Sequence, residues 1–129
     1  MDATEALNRL ADIIDAHDWD AIAELLHPDF VCELVATKER FDGPRWIAFN
    51  ANYPGFQRMK LIDVVGDGTR AAARGLVTGL VDGVEREFSV AQFARMRDGL
   101  LEELVEVWAD LDDVPPAGTR EAATPPPRI

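Results

Sequence analysis

Apolar residues recur along the first third of the chain at spacings of three and four. Leu7, Leu10, Ala11 and Ile14 fall on one side, and Glu5, Arg9, Asp12 and Asp15 on the other. That is the period of an α-helix with one buried face. Thr4 stands at its start as a candidate N-cap, although Leu7 occupies the position where a capping-box acid would sit. Asp18 breaks this helix and is placed to cap a second, with Trp19, Ile22, Ala23, Leu25 and Leu26 as its apolar face. His27-Pro28 ends it, because proline disfavours helical geometry in the residue before it.

From Phe30 to Thr37 the period changes to two. Phe30, Cys32 and Leu34 share one face of a strand, and Val31, Glu33 and Val35 the other. Gly43-Pro44 then opens a third, short helix that carries Trp46, Phe49, Asn50 and Tyr53 on one side and stops at Pro54-Gly55. In the second half, Asp67-Gly68, Asp82-Gly83 and Asp98-Gly99 recur at intervals of 15 and 16 residues. Asp-Gly between β-like runs is a strong hairpin signal, because both residues tolerate the positive φ of a tight turn. Three such turns join four strands, roughly 57–66, 69–81, 84–97 and 100–111, into an antiparallel meander. Strands this long must coil or bend, and Gly75 and Gly79 mark places for a bulge.

Helices first and a bent meander afterwards define an α+β class. A curved sheet must have its concave face covered, and the three N-terminal helices are the elements available. The expected architecture is a cone-shaped half-barrel over residues 1–113, closed by helices, with a pocket at its wide end. Residues 114–129 are rich in proline, cannot join a sheet, and are expected to form an extended, flexible tail that could fold back over the pocket mouth.

Composition narrows the function classes. At 129 residues, with 47% hydrophobic and 29% charged residues, the chain suits one globular domain with its own core. A formal charge of −11, from 13 basic and 24 acidic residues, repels phosphate backbones and anionic lipids, so neither nucleic acid nor a membrane is an expected partner. The single cysteine, Cys32, rules out an internal disulfide and fits a reducing compartment. Met1-Asp2-Ala3-Thr4-Glu5 has neither the basic nor the apolar region of a signal peptide, and no apolar run is long enough to span a bilayer. These features predict a soluble, cytoplasmic protein.

Four segments in order carry a family resemblance: Leu26-His27-Pro28-Asp29-Phe30, Ile62 to Gly68, Phe93 to Leu101 across the last hairpin, and Glu106-Val107-Trp108-Ala109-Asp110. Over about residues 3 to 113 the chain resembles the SnoaL-like branch of the nuclear transport factor 2-like superfamily, whose fold is a cystatin-like cone. The resemblance implies a hydrophobic pocket and chemistry ranging over polyketide cyclases, ketosteroid isomerases, epoxide hydrolases and dehydratases, alongside members that only bind or dimerise. SnoaL-type cyclases use a histidine and an aspartate facing each other inside the sheet. This chain has no histidine after His27, so only the acid, near Asp110, finds a counterpart. The Asp-Arg-Asp set of the epoxide hydrolases finds no match by position.

Candidate chemistry concentrates on the last strand. From Asp98 to Asp113 there are seven acids and no lysine or arginine. Alternation puts Leu104, Glu106, Trp108 and Asp110 on one face and Glu103, Val105 and Val107 on the other. If the first set faces the cavity, Glu106 and Asp110 are candidate general acid/base residues with an indole between them, their pKa values raised by burial and mutual repulsion. The competing reading is structural: Arg74, Arg86, Arg95 and Arg97 lie on neighbouring strands, and Arg95 is the first expected partner for Glu106. Trp46, Asn50, Tyr53, Trp108 and Arg95 are candidate ligand contacts, with Asn50 or Tyr53 steadying an enolate; aromatic packing of the short helix is the plainer alternative. Trp19 and Cys32 read as core, His27 as a helix terminator and His17 as an exposed helix end. Two histidines separated by ten residues, with no ligand-spaced cluster, argue against a metal. No phosphate loop or nucleophile elbow points to a cofactor. The leading expectation is a pocket for an apolar, oxygenated molecule, polyketide- or terpenoid-like, in a cyclase- or isomerase-type enzyme of secondary metabolism. The alternative is a non-catalytic ligand-binding or dimerisation module, and either could form a homodimer through the convex sheet face, with Val105 and Val107 buried.

Overall fold

The helical period at the start of the chain produces helix α1, Ala3–Asp15, with Ala3, Ala6, Leu7, Leu10, Ala11 and Ile14 all buried. This is a computed structural model, and it describes residues 1–121. The α1 cap is Asp2 rather than Thr4: its carboxylate accepts the Glu5 N–H at 2.8 Å. At the other end Asp15 accepts two hydrogen bonds from Arg58, at 2.8 and 2.9 Å, and one from the Met59 N–H, fastening α1 to the sheet. The Arg58 guanidinium and that backbone N–H hold the Asp15 carboxyl down to about 2.

The second helix is a 3₁₀ segment, Trp19–Leu25, not an α-helix, and Asp18 forms no side-chain cap there. The chain leaves it directly into strand β1, Leu26–Leu34, which begins earlier than Phe30. Pro28 lies where the ladder to the last strand shifts register, between Leu26 and Val31, as its missing N–H requires. Strand β2, Glu39–Asp42, is too short and charged to have been visible as a strand. Asp42 also accepts the Arg45 N–H and so caps helix α2, Gly43–Ala51.

Strands β3 (Phe56–Gly66), β4 (Arg70–Val81), β5 (Val84–Arg97) and β6 (Leu100–Asp110) form the expected meander. The six-stranded sheet has the order β2-β1-β6-β5-β4-β3 and is antiparallel except where β1 runs parallel to β6. Asp82-Gly83 and Asp98-Gly99 make two-residue turns with positive φ at all four positions. Asp67-Gly68 works differently: the Asp67 carboxylate accepts the N–H groups of Thr69 and Arg70 and closes a longer loop.

Bending comes from irregularities on β3, not β4. Register shifts at Phe56/Arg58 and Leu61/Asp63 lie opposite Gly79 and Gly75. A Cβ on Gly75 would come within 3.0 Å of Val90 Cγ1, and one on Gly79 within 3.1 Å of the Gly55 carbonyl oxygen. These glycines therefore admit close neighbours where β3 kinks. The sheet curves without closing, α1 lies across β3 and β4, and α2 packs on β1, β2 and the 3₁₀ segment. Strand β6 ends at Asp110, and the chain runs on without helix or strand to residue 121; the rest of the proline-rich tail lies outside the described residues. Among the described residues no helix is long and apolar enough to cross a membrane.

Candidate functional site

Strand register determines which side chains share the concave face. On β6, Leu104, Glu106, Trp108 and Asp110 stand opposite Ala94, Gln92, Val90 and Phe88 of β5. Those in turn pair with Ala71, Ala73, Gly75 and Val77 of β4. Cys32 and Leu34 of β1 flank Leu104 and Glu106 on the other side. The buried members of these rows, including Val77, Val90, Ala94 and Leu104, belong to the one hydrophobic core under the helices. A bulge decides the outcome. The β5–β6 pairing shifts between Arg95/Met96, leaving Glu102 as the extra residue, and every residue beyond it keeps regular register. Glu106 therefore points inward.

Glu106 is 5% exposed, and the only other buried polar or charged side chain among the described residues is Gln92 at 1%. The two face each other across the strands: Gln92 Nε2 donates to Glu106 Oε2 at 2.8 Å. Trp108 Nε1 approaches the second oxygen, Oε1, at 3.4 Å. Among the described residues no arginine, lysine or histidine pairs with Glu106. Burial pushes its carboxyl up from the ordinary glutamate value, and the hydrogen bonds from Gln92 and Trp108 offset part of that shift. The result is a carboxyl held in place by two neutral donors, with raised proton affinity and no counter-charge.

The other expected residues are distributed differently. Asp110 shares the inner face but is exposed, opposite Phe88, and four residues of strand, ~13 Å, separate it from Glu106. The structure does not bring the two acids together. Arg95 is on the opposite face of the sheet, across from Glu103, and pairs with Glu102 at 3.2 Å and Glu103 at 3.7 Å. It does not reach Glu106. Trp46 is fully buried, edge-on to Phe30, and its indole N–H has no partner. Asn50 spends its amide on the Trp46 carbonyl oxygen, one turn back in its own helix. Tyr53 is 58% exposed and leans on Phe49, which stacks on Phe41. Trp108, at 38% exposed, is the solvent-side neighbour of Glu106.

Cys32 is a buried thiol raised by desolvation first and by the nearby Glu106 charge second. His17 sits at positive φ with Nε2 at 2.7 Å from the Gln57 carbonyl oxygen, beneath Trp19 and Phe56. His27 Nδ1 accepts the Asp29 N–H. One trio among the described residues, His27, Asp29 and Glu102, brings potential ligand atoms within 4.8 Å of one another. The Arg97 guanidinium already lies against both acids, at 3.2 and 2.9 Å, and supplies the positive charge there. Two surface hollows of about 460 and about 500 Å³ flank the sheet, one between α1 and β3, the other on the convex face. Neither is lined by Glu106 or Gln92.

A SnoaL-like domain model matches residues 7–104. The chain belongs to that family. Among solved structures, this SnoaL-like chain is similar to a "putative ketosteroid isomerase" from Kribbella flavida DSM 17836, with 25% identity over 96% of this chain and 90% of that one and a TM-score of 0.79. It is also similar in fold to a SnoaL-like polyketide cyclase, likewise so designated, from Jannaschia sp. CCS1, at 21% identity over 81% and 83% of the two chains and a TM-score of 0.70. A third likeness is to an LEH-like epoxide hydrolase of M. tuberculosis, at 19% identity over 83% and 82% and a TM-score of 0.70. No curated protein matches the sequence. The nuclear transport factor 2-like cone and a ligand-binding fold are thus established for the SnoaL-like chain.

Proposed function

We propose that this SnoaL-like protein takes an apolar, oxygenated small molecule, polyketide- or terpenoid-like, against the concave sheet face and moves a carbon-bound proton with Glu106. The observation that carries the reading is the buried carboxyl with no cation beside it and two neutral donors holding it. As a carboxylate it would take a proton from the carbon next to a carbonyl, leaving an enolate and a neutral Glu106 acid. The acid would then return the proton to another carbon or to oxygen, which is isomerase- or cyclase-type chemistry. Burial favours this role, because a carboxyl with raised pKa is a stronger base once ionised. Trp46 offers a buried, unpartnered N–H for a ligand oxygen. Its claim is better than that of Asn50, whose amide is spent, while Tyr53 and Asp110 would act only near the mouth. Entry to Glu106 would pass Trp108, so closure and opening of that indole belong to the proposal.

The test is deuterium exchange at the α-carbon of a panel of cyclic ketones, followed by proton NMR in D₂O. Wild-type protein should accelerate exchange of at least one ketone, and Glu106→Gln should lose roughly 10²–10⁴-fold of that rate while keeping the fold. Exchange no faster than buffer, or unaffected by Glu106→Gln, would leave a non-catalytic binding module as the better description.

A specific feature supports a second property, dimerisation through the convex face. Val65, Ala72, Phe93 and Val105 form one row across four strands there, and Phe93 is 50% exposed. Val107 and Val35 add exposed apolar area on the same face. Light scattering should give twice the chain mass, reverting to one with Phe93→Asp; a monomeric wild type would remove the dimer.

A further inference from the structure

Gln92 is committed at one end only. Its Nε2 donates to Glu106, while its Oε1 is buried without any hydrogen-bond partner. An ionised carboxylate has acceptors alone, so facing Glu106 requires the NH₂ end of the amide and turns the carbonyl oxygen away. Among the described residues no group donates to that oxygen. The inner-face neighbours of Gln92 are Ala73 across β4, Glu106 across β6, and Val90 and Ala94 two residues along β5. Of these side chains only Glu106 can carry a polar hydrogen, and as a carboxylate it offers that oxygen none. A buried acceptor with no partner is costly and uncommon in a folded protein, and a ligand donor is one way to satisfy it.

We infer that Gln92 sets the ligand class: its free amide oxygen accepts a hydrogen bond from a ligand hydroxyl, so the molecule held beside Glu106 carries an alcohol or enol O–H and not carbonyl groups alone. This deepens the reading of Glu106 given above and rests on it. A ligand offering only carbonyl oxygen at this point meets oxygen with oxygen and leaves Oε1 unsatisfied, whereas a hydroxyl satisfies it. Gln92 thereby acts twice, as a positioning residue that orients the Glu106 carboxyl and as a selector of what lies next to it.

The probes are 1-tetralol and 1-tetralone, bicycles of the same shape that differ in offering a hydroxyl or only a carbonyl. Their dissociation constants are read from ligand NMR with the full chain at neutral pH. Wild type is expected to bind the alcohol at least about 10-fold more tightly than the ketone, the discrimination ordinary for satisfying a buried acceptor. In Gln92→Met, which keeps length and loses the amide, the preference should fall to near unity. Equal or better binding of the ketone by wild type overturns the inference, a comparison that does not depend on any variant folding. So does a preference that survives in folded Gln92→Met. If both probes bind, both weaken in Glu106→Gln, and no preference is seen, the Glu106 site stands and the Gln92 inference alone falls. If neither probe binds wild type, both readings fall together.

Discussion

At the scale of the residue, two acids on one strand face have opposite fates. Asp110 stands in solvent at the end of β6, while Glu106 is enclosed between Gln92, Trp108, Leu34 and Leu104. Burial favours the protonated form of Glu106, so the folded state binds a proton more tightly than the unfolded chain does. Between the ordinary glutamate pKa and the raised one, the native state then holds more protons than the unfolded state. Stability must fall as the pH rises through that window and level off above it. Glu106→Gln cannot ionise and should lack this fall, becoming relatively more stable than wild type toward neutral and alkaline pH. Urea unfolding of both proteins across a pH series rising from the ordinary glutamate value measures it. Parallel stability curves would mean that Glu106 is not desolvated in solution. Asp15 has the reverse sign: its carboxyl is held down by Arg58, so its contribution is present above the ordinary value and lost as the pH falls toward about 2.

At the scale of the element, the parts governed by local chemistry were legible in the sequence. The Asp82-Gly83 and Asp98-Gly99 turns require positive φ, and few residues other than Asp, Asn and Gly provide it cheaply. The α1 face was equally plain, because burial of Leu7, Leu10 and Ile14 has helical period. What was not legible depended on neighbours. An α-helix and a 3₁₀ helix of seven residues differ little in pattern, and only the immediate start of β1 selects the tighter one at Trp19–Leu25. The four residues of β2 carry a single buried side chain, Phe41, and form a strand because β1 lies beside them. Gln92 was missed for a subtler reason. Counting back from the Arg97↔Leu100 pair places Gln92 opposite Val105, on the wrong register, and only the bulge at Glu102 moves it opposite Glu106. The same bulge settles which way Glu106 points. It also separates Arg95 from Glu106: beyond the bulge Arg95 pairs with Glu103 and faces outward, on the side of the sheet opposite Glu106.

At the scale of the whole molecule, the sheet has two faces with different duties. Its concave side carries the core and, midway along β5 and β6, the one place among the described residues where buried polar side chains meet. Its convex side is lined by charge pairs such as Arg95 with Glu103, and by the apolar row through Phe93. The net charge of −11 lies over the whole chain, yet no cation reaches the enclosed carboxyl among the described residues. The central claim is that Glu106 is a desolvated, uncompensated carboxyl kept for proton transfer. Its most direct test is titration of the side-chain carboxyl carbons by NMR in protein labelled with ¹³C-glutamate, with Glu106→Gln identifying the signal. The account predicts that Glu106 titrates clearly above the ordinary glutamate value of about 4.3. A Glu106 signal that titrates at or below that value would mean that water or a cation reaches the carboxyl and would contradict the account.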